Sequence, residues 1–327
     1  MLTRRRVVIG LGATAFAPLA SFAQQQVSKV YRIGFLGTGS ASGWAPQVDA
    51  LREGLRDLGY EEGRNIVIEY RWAEGRYERL PELAAELVRL KVDVLVTYGT
   101  PGIRAAKQAT TTIPIVMATS GDAVATGLVA SLARPGGNIT GSTFFDPELS
   151  AKRLELLKAA MPQTTRVAIL LNPANPQTGV SLQSMEGTSK SLKLVLQRFD
   201  VQSPNEFEAA FSAMAKNNVD AVWIQQDPVF VENAKAVASL AEKQRLPAIG
   251  FAGFAEAGGL IEYGVNFQKL FRRSAHFVDK ILKGAKPQNI PVERPTGFDL
   301  AINLKTAKAL GIKIPNSILQ QATKVIE

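Results

Sequence analysis

From Tyr31 onward, short apolar runs alternate with longer stretches whose apolar positions recur every three or four residues. The first run, "YRIGFLG", leads into "QVDALREGLRDLGY", where Val48, Leu51, Leu55 and Leu58 fall on one helical face and Gly59 stops the helix. The strand "NIVIEYRW", the helix "RLPELAAELVRL", the strand "VDVLVTY", the helix "GIRAAKQAT" and the strand "IPIVMAT" follow. Strands that alternate with helices in this way predict a parallel sheet built from right-handed crossovers. The plan then repeats. "RIGFLGTGS" from Arg32 is echoed by "RVAILLNPAN" from Arg166, "VDVLVTYGTP" by "VDAVWIQQDP" from Val219, and "TIPIVMATSGD" by "RLPAIGFAGF" from Arg245. Three ordered echoes predict two similar α/β lobes, each a doubly wound parallel sheet, joined by hinge crossovers.

Length agrees with two lobes, since 327 residues with 46% apolar content exceed a single core. Residues 1–23 stand apart. Arg4, Arg5 and Arg6 precede an apolar run from Val7, and Ser21-Phe22-Ala23 resembles a cleavage site, so the segment reads as an export signal too short to span a bilayer. Its arginines fit a secretory or a twin-arginine signal. With no cysteine in the chain, neither a disulfide nor a lipid-anchor cysteine is available, and the exported protein is expected to be free in the periplasm. The remainder is divided into lobe I, 30–142 plus about 250–290, and lobe II, 143–249 plus about 291–327. The formal charge of +9 is spread along the chain without a dense basic block, so no nucleic-acid partner is expected.

In open parallel sheets ligands bind beyond the carboxyl ends of strands. The repeat pairs such loops: Gly37 to Ser40 with Asn172 to Asn175, Tyr98 to Pro101 with Gln225 to Pro228, and Ala118 to Asp122 with Phe251 to Phe254. If the lobes face one another, these loops border one cleft. Gly37, Gly39 and Gly43 read G-x-G-x-x-x-G, one residue off the dinucleotide fingerprint, and the matched loop "NPAN" has no glycine pattern; a position at a strand mouth explains the turn better than a phosphate cradle. Gly37 and Thr38 then offer backbone and hydroxyl to a ligand. Thr100 before Pro101 reads as a helix N-cap, with Gly99 and Thr100 at a helix start that favours an anion. Asp122 and Asp227 are candidates to hold an ammonium or, equally, to cap the helices that follow. Ser120, Asn172 and Gln226 add polar groups, and Tyr98, Phe251 and Tyr263 could wall an apolar ligand.

Catalytic signals are lacking: there is no G-x-S-x-G elbow, no P-loop, no cysteine and one histidine, His276, inside a helical pattern. No enzyme activity, cofactor or metal is therefore expected. The phrases "EGRNIVIEYRWAEGRYERLPELAAELV", "TTTIPIVMATSGDAVATGLVASLARPGGNITG", "SAKRLELLKAAMP" and "NLKTAKALGIKIP" resemble the ABC-transporter substrate-binding proteins of the tryptophan/tyrosine-binder type, within the type I periplasmic binding protein fold. The resemblance implies two lobes enclosing a small solute such as an amino acid or other carboxylate, delivery to an inner-membrane ABC permease, and a return of the chain to the first lobe after Asn266. It points to Thr38, Gly99-Thr100, the Asp122 loop, Asn172, Asp227 and Phe251 as ligand positions. A monomer is expected. The alternatives are a sensory binding protein for a membrane receptor, an exported nucleotide-dependent α/β enzyme, and the effector core of a transcription regulator, which would carry a DNA-binding domain in place of the signal.

Overall fold

The computed structural model describes residues 29–144 and 146–327, and residues 1–23, expected to be an export signal, lie outside them. Lobe I has a five-stranded parallel sheet in the order β2-β1-β3-β4-β5, made of β1 (Tyr31–Gly37), β2 (Ile66–Trp72), β3 (Val94–Tyr98), β4 (Ile115–Ser120) and β5 (Ile139–Thr143). Helices α1 (Ala45–Asp57), α2 (Leu80–Arg89) and α3 (Gly99–Ala109) are its crossovers. Strands β3 and β4 are buried along their whole length, as continuous apolar runs in a sheet covered on both faces should be.

After α4 (Asp146–Ala160) the second lobe repeats the winding with β6 (Arg166–Leu171), α5 (Thr178–Ser191), β7 (Val195–Asp200), α6 (Phe207–Lys216), β8 (Ala221–Ile224), α7 (Pro228–Glu232), α8 (Ala234–Lys243), β9 (Ala248–Gly250) and β10 (Ile261–Gly264). The chain then leaves for α9 (Phe267–Leu282) and returns as β11 (Asp299–Asn303), α10 (Leu304–Leu310), α11 (Asn316–Leu319) and β12 (Lys324–Ile326). The sheet order is β12-β11-β10-β9-β8-β6-β7, with β10 and β11 antiparallel. In both lobes the first strand lies between the second and third, which places β1/β3 and β6/β8 at corresponding topological switch points. The echoes found in the sequence coincide with β1 and β6, β3 and β8, and β4 and β9.

One boundary differs from the sequence reading. The division that gives the chain from about 250 to lobe I does not hold, since β9 and β10 continue the second sheet; the crossing falls at Val265-Asn266, where the family resemblance puts the return to the first lobe. Helix α9 shares an apolar cluster with α1, uniting Leu51 and Leu55 with Leu270, Phe271, Ala275 and Val278. The contact is close: a Cβ on Gly54 would lie 2.5 Å from the carbonyl oxygen of Arg272.

Candidate functional site

The carboxyl ends of the two sheets face each other across a narrow pocket at the seam, lined from both lobes. Lobe I and its crossovers contribute an aromatic side. Trp44, immediately before α1, lies 4.0 Å from Tyr98 between ring centroids and 6.0 Å from Phe267, while Phe144 lies 6.2 Å from Phe267. All four line the cavity and are buried. The Tyr98 hydroxyl accepts a hydrogen bond from the Gly39 amide at 3.1 Å, and burial pushes its phenol well above the usual range, so it remains neutral. Lobe II supplies Asn175, Gln177, Gln226, Pro228 and Val231.

Three buried polar atoms of the cavity-lining residues have no partner within the protein: Trp44 Nε1 and Thr119 Oγ1 from lobe I and Gln226 Nε2 from lobe II. The orientation of Gln226 follows from its neighbour. Arg153, fully buried on α4, donates from Nη2 to Gln226 Oε1 at 2.5 Å and from Nε to the Tyr263 carbonyl at 2.7 Å. A guanidinium can only donate, so it fixes the amide oxygen toward itself and leaves the NH2 group as a donor for something else. At the opposite wall α3 begins with Gly99 at φ +71° and has no side-chain cap, which leaves the partial positive charge of its N-terminus at the cavity.

Of the positions read from the sequence, Tyr98, Gly99, Thr100 and Gln226 line this cavity. The others do not reach its wall. Thr100 is the second residue of α3, not its N-cap; Tyr98 occupies that place. Gly37 is covered by the Trp72 ring, 2.1 Å from where a Cβ would stand, and Thr38 is buried behind the turn. Ser120 points away between its lining neighbours Thr119 and Gly121. Asp122 caps its own turn through the amides of Val124 (3.0 Å) and Ala125 (2.9 Å). Phe251 packs on Phe254 in the lobe II core, and Tyr263 lies against Phe298 at the crossovers.

Asp227, expected either to hold an ammonium or to cap the helix that follows, lies outside the cavity lining. It is entirely buried and accepts from the Tyr77 hydroxyl (3.0 Å to each oxygen), Asn172 Nδ2 (3.2 Å), Asn175 Nδ2 (2.8 Å) and the Val229 amide (2.9 Å). These donors saturate the carboxylate. Its capping role is the one realised, and it turns Asn172 inward while holding Asn175 at the cavity. Burial raises the Asp227 carboxyl, a shift opposed by the hydrogen bonds from Asn175, Val229, Asn172 and Tyr77.

The sequence reading missed Trp44, Phe144 and Phe267 as wall residues. Crossover segments necessarily border an inter-lobe cleft, so aromatic residues there carry a usable signal, and the return to lobe I after Asn266 puts Phe267 on such a segment.

A model of the ABC transporter substrate binding protein family matches residues 40–326. A tyrosine-binding protein of Clostridioides difficile (strain R20291) is 28% identical over 274 residues, covering 82% of this chain and 78% of that protein. The structure of an ABC domain from Streptococcus pneumonia in complex with L-Trp is 27% identical, covers 90% of this chain and 99% of its own, and superposes with a TM-score of 0.83. The ligand-free, open structure of a substrate binding protein with adhesive properties from Clostridium difficile is 25% identical, with coverage of 91% and 99%, but reaches a TM-score of only 0.64. Sugar-related solute-binding proteins only 13% and 14% identical share the fold, that of type I periplasmic binding proteins, at TM-scores of 0.62 and 0.63.

Proposed function

Since this chain belongs to the ABC transporter substrate binding protein family, we propose that it captures a small aromatic carboxylate, an aromatic amino acid foremost, between its lobes and delivers it to an inner-membrane ABC permease. The observation that carries the reading is the cavity itself: an aromatic side formed by Trp44, Tyr98, Phe144 and Phe267 opposite the polar Asn175, Gln177 and Gln226. An aromatic side chain would lie on the rings, with its carboxylate near the uncapped start of α3 and the Gln226 amide. The ligands of the tyrosine-binding protein and of the L-Trp complex agree with this chemistry. Because both lobes contact the solute, binding favours the closed form, which is the form offered to the permease.

The protein acts as a free monomer in the periplasm, exported by the secretory or twin-arginine route, and uses neither cofactor nor metal. Native mass spectrometry of gently purified protein tests the ligand: a co-purifying aromatic acid at one per chain is expected, and a bound sugar or polyol would overturn the assignment. N-terminal sequencing of the periplasmic fraction tests export. The mature chain is expected to begin near Gln24, and full-length protein confined to the cytoplasm would contradict it.

A further inference from the structure

The residues Asp227 to Glu232 of lobe II lie in a slot on lobe I that glycines keep open. Tyr77 reaches across to both oxygens of Asp227. A Cβ on Gly99 would stand 2.9 Å from Pro228 Cγ, one on Gly39 would stand 2.2 Å from Glu232 Oε2, and one on Gly43 would stand 2.4 Å from Glu232 Cγ. The Glu232 carboxylate accepts from the Ser40 amide at 3.0 and 3.3 Å and from the Ser40 hydroxyl, which itself accepts from the Gly43 amide at 3.0 Å. The glycine-rich turn after β1 is thus a receptacle for a carboxylate from the opposite lobe. It also fixes the aromatic wall, since a Cβ on Gly39 would lie 2.5 Å from Trp44 Nε1.

We propose that Glu232 is a positioning residue that latches the lobes together: by docking in the Gly39–Gly43 turn it seats α7, whose Pro228 and Val231 form the cavity wall of lobe II. None of its partners is a solute, so the latch favours closure before a solute arrives and slows the release of one already bound. A charge-assisted bond between moving bodies exists only in the closed form, and it therefore shifts the population toward that form. This goes beyond the proposed ligand and does not depend on which solute is bound.

The test needs no solute. The chain has no cysteine, so Val124→Cys in lobe I with Ala174→Cys in lobe II introduces two thiols for spin labels, both at exposed positions away from Glu232. Distances between the labels are measured in the ligand-free protein. A short-distance population is expected in the parent, reduced about threefold or more by Glu232→Ala and likewise by Ser40→Ala, with the double variant no lower than the worse single one. Thermal unfolding of each variant confirms folding, and Ser40→Ala approaches the same contact from the other lobe should Glu232→Ala fold poorly. Unchanged distances in the two single variants, additive effects in the double variant, or a parent with only the open distance would overturn the latch.

Discussion

At the scale of single residues, the buried polar groups divide into those that hold the site and those that face its occupant. Asp227 holds it. Asp227→Asn removes the charge that four donor residues converge on and sets an NH2 group among them, so a loss of about 2 kcal/mol is expected at neutral pH. The pH dependence has a definite sign. Burial raises this carboxyl above its ordinary 3.8, so the folded protein binds the proton more tightly than the unfolded chain. Its contribution is fully present below 3.8 and declines as pH rises through the elevated value; in denaturant titrations the parent's advantage over Asp227→Asn should therefore widen as pH is lowered through that window. A gap that narrows on acidification would contradict this. Gln226 faces the occupant. Gln226→Glu retains the acceptor for Arg153 but replaces the free NH2 with a second carboxylate oxygen. Calorimetry should show affinity for L-tryptophan reduced tenfold or more, about 1.4 kcal/mol, with little change in melting temperature. Unaltered affinity would remove Gln226 from the ligand contacts. The sequence identified Gln226 and Asp227 as neighbours at a strand mouth but could not assign their roles, because adjacent residues leave a strand end in opposite directions and only long-range partners reveal which one turns inward.

At the scale of elements, the alternating pattern was legible because strands buried on both faces are mainly apolar, as β3 and β4 are before the polar residues at their carboxyl ends, Thr97, Thr119 and Ser120. The repeat also located the strand mouths, since β1 and β6 have the same place in their sheets. The helix start at α3 was less legible. Thr100-Pro101 has the composition of a cap, but Gly99 at φ +71° already turns the chain into the helix, so Tyr98 becomes the boundary residue. The glycines after β1 were visible as a pattern, while their cause, the approach of Glu232 from a segment 192 residues away, was not. Gly54 is a comparable case inside α1. Gly54→Ala would push a methyl group against the backbone of α9 and should cost about 1 to 3 kcal/mol in thermal unfolding, despite the better helix propensity of alanine. A stabilised variant would show that α1 and α9 can separate without cost.

At the scale of the whole molecule, two sheets whose switch points face one another enclose a space that neither lobe could form alone. Its aromatic residues come from lobe I and the crossovers, and its facing amides come from lobe II. A solute seated there must release both lobes to leave. Saturation at 100 times the dissociation constant should add about 2.7 kcal/mol to stability. The most direct test of the account is calorimetric titration of the mature protein, freed of co-purified ligand, with L-tryptophan, L-tyrosine and L-phenylalanine against L-alanine at two temperatures. The account predicts one site per chain, binding of at least one aromatic ligand tenfold or more tighter than L-alanine, and a negative heat-capacity change from burial of the ring. Saturable binding of L-alanine with no preference for any aromatic ligand would contradict it.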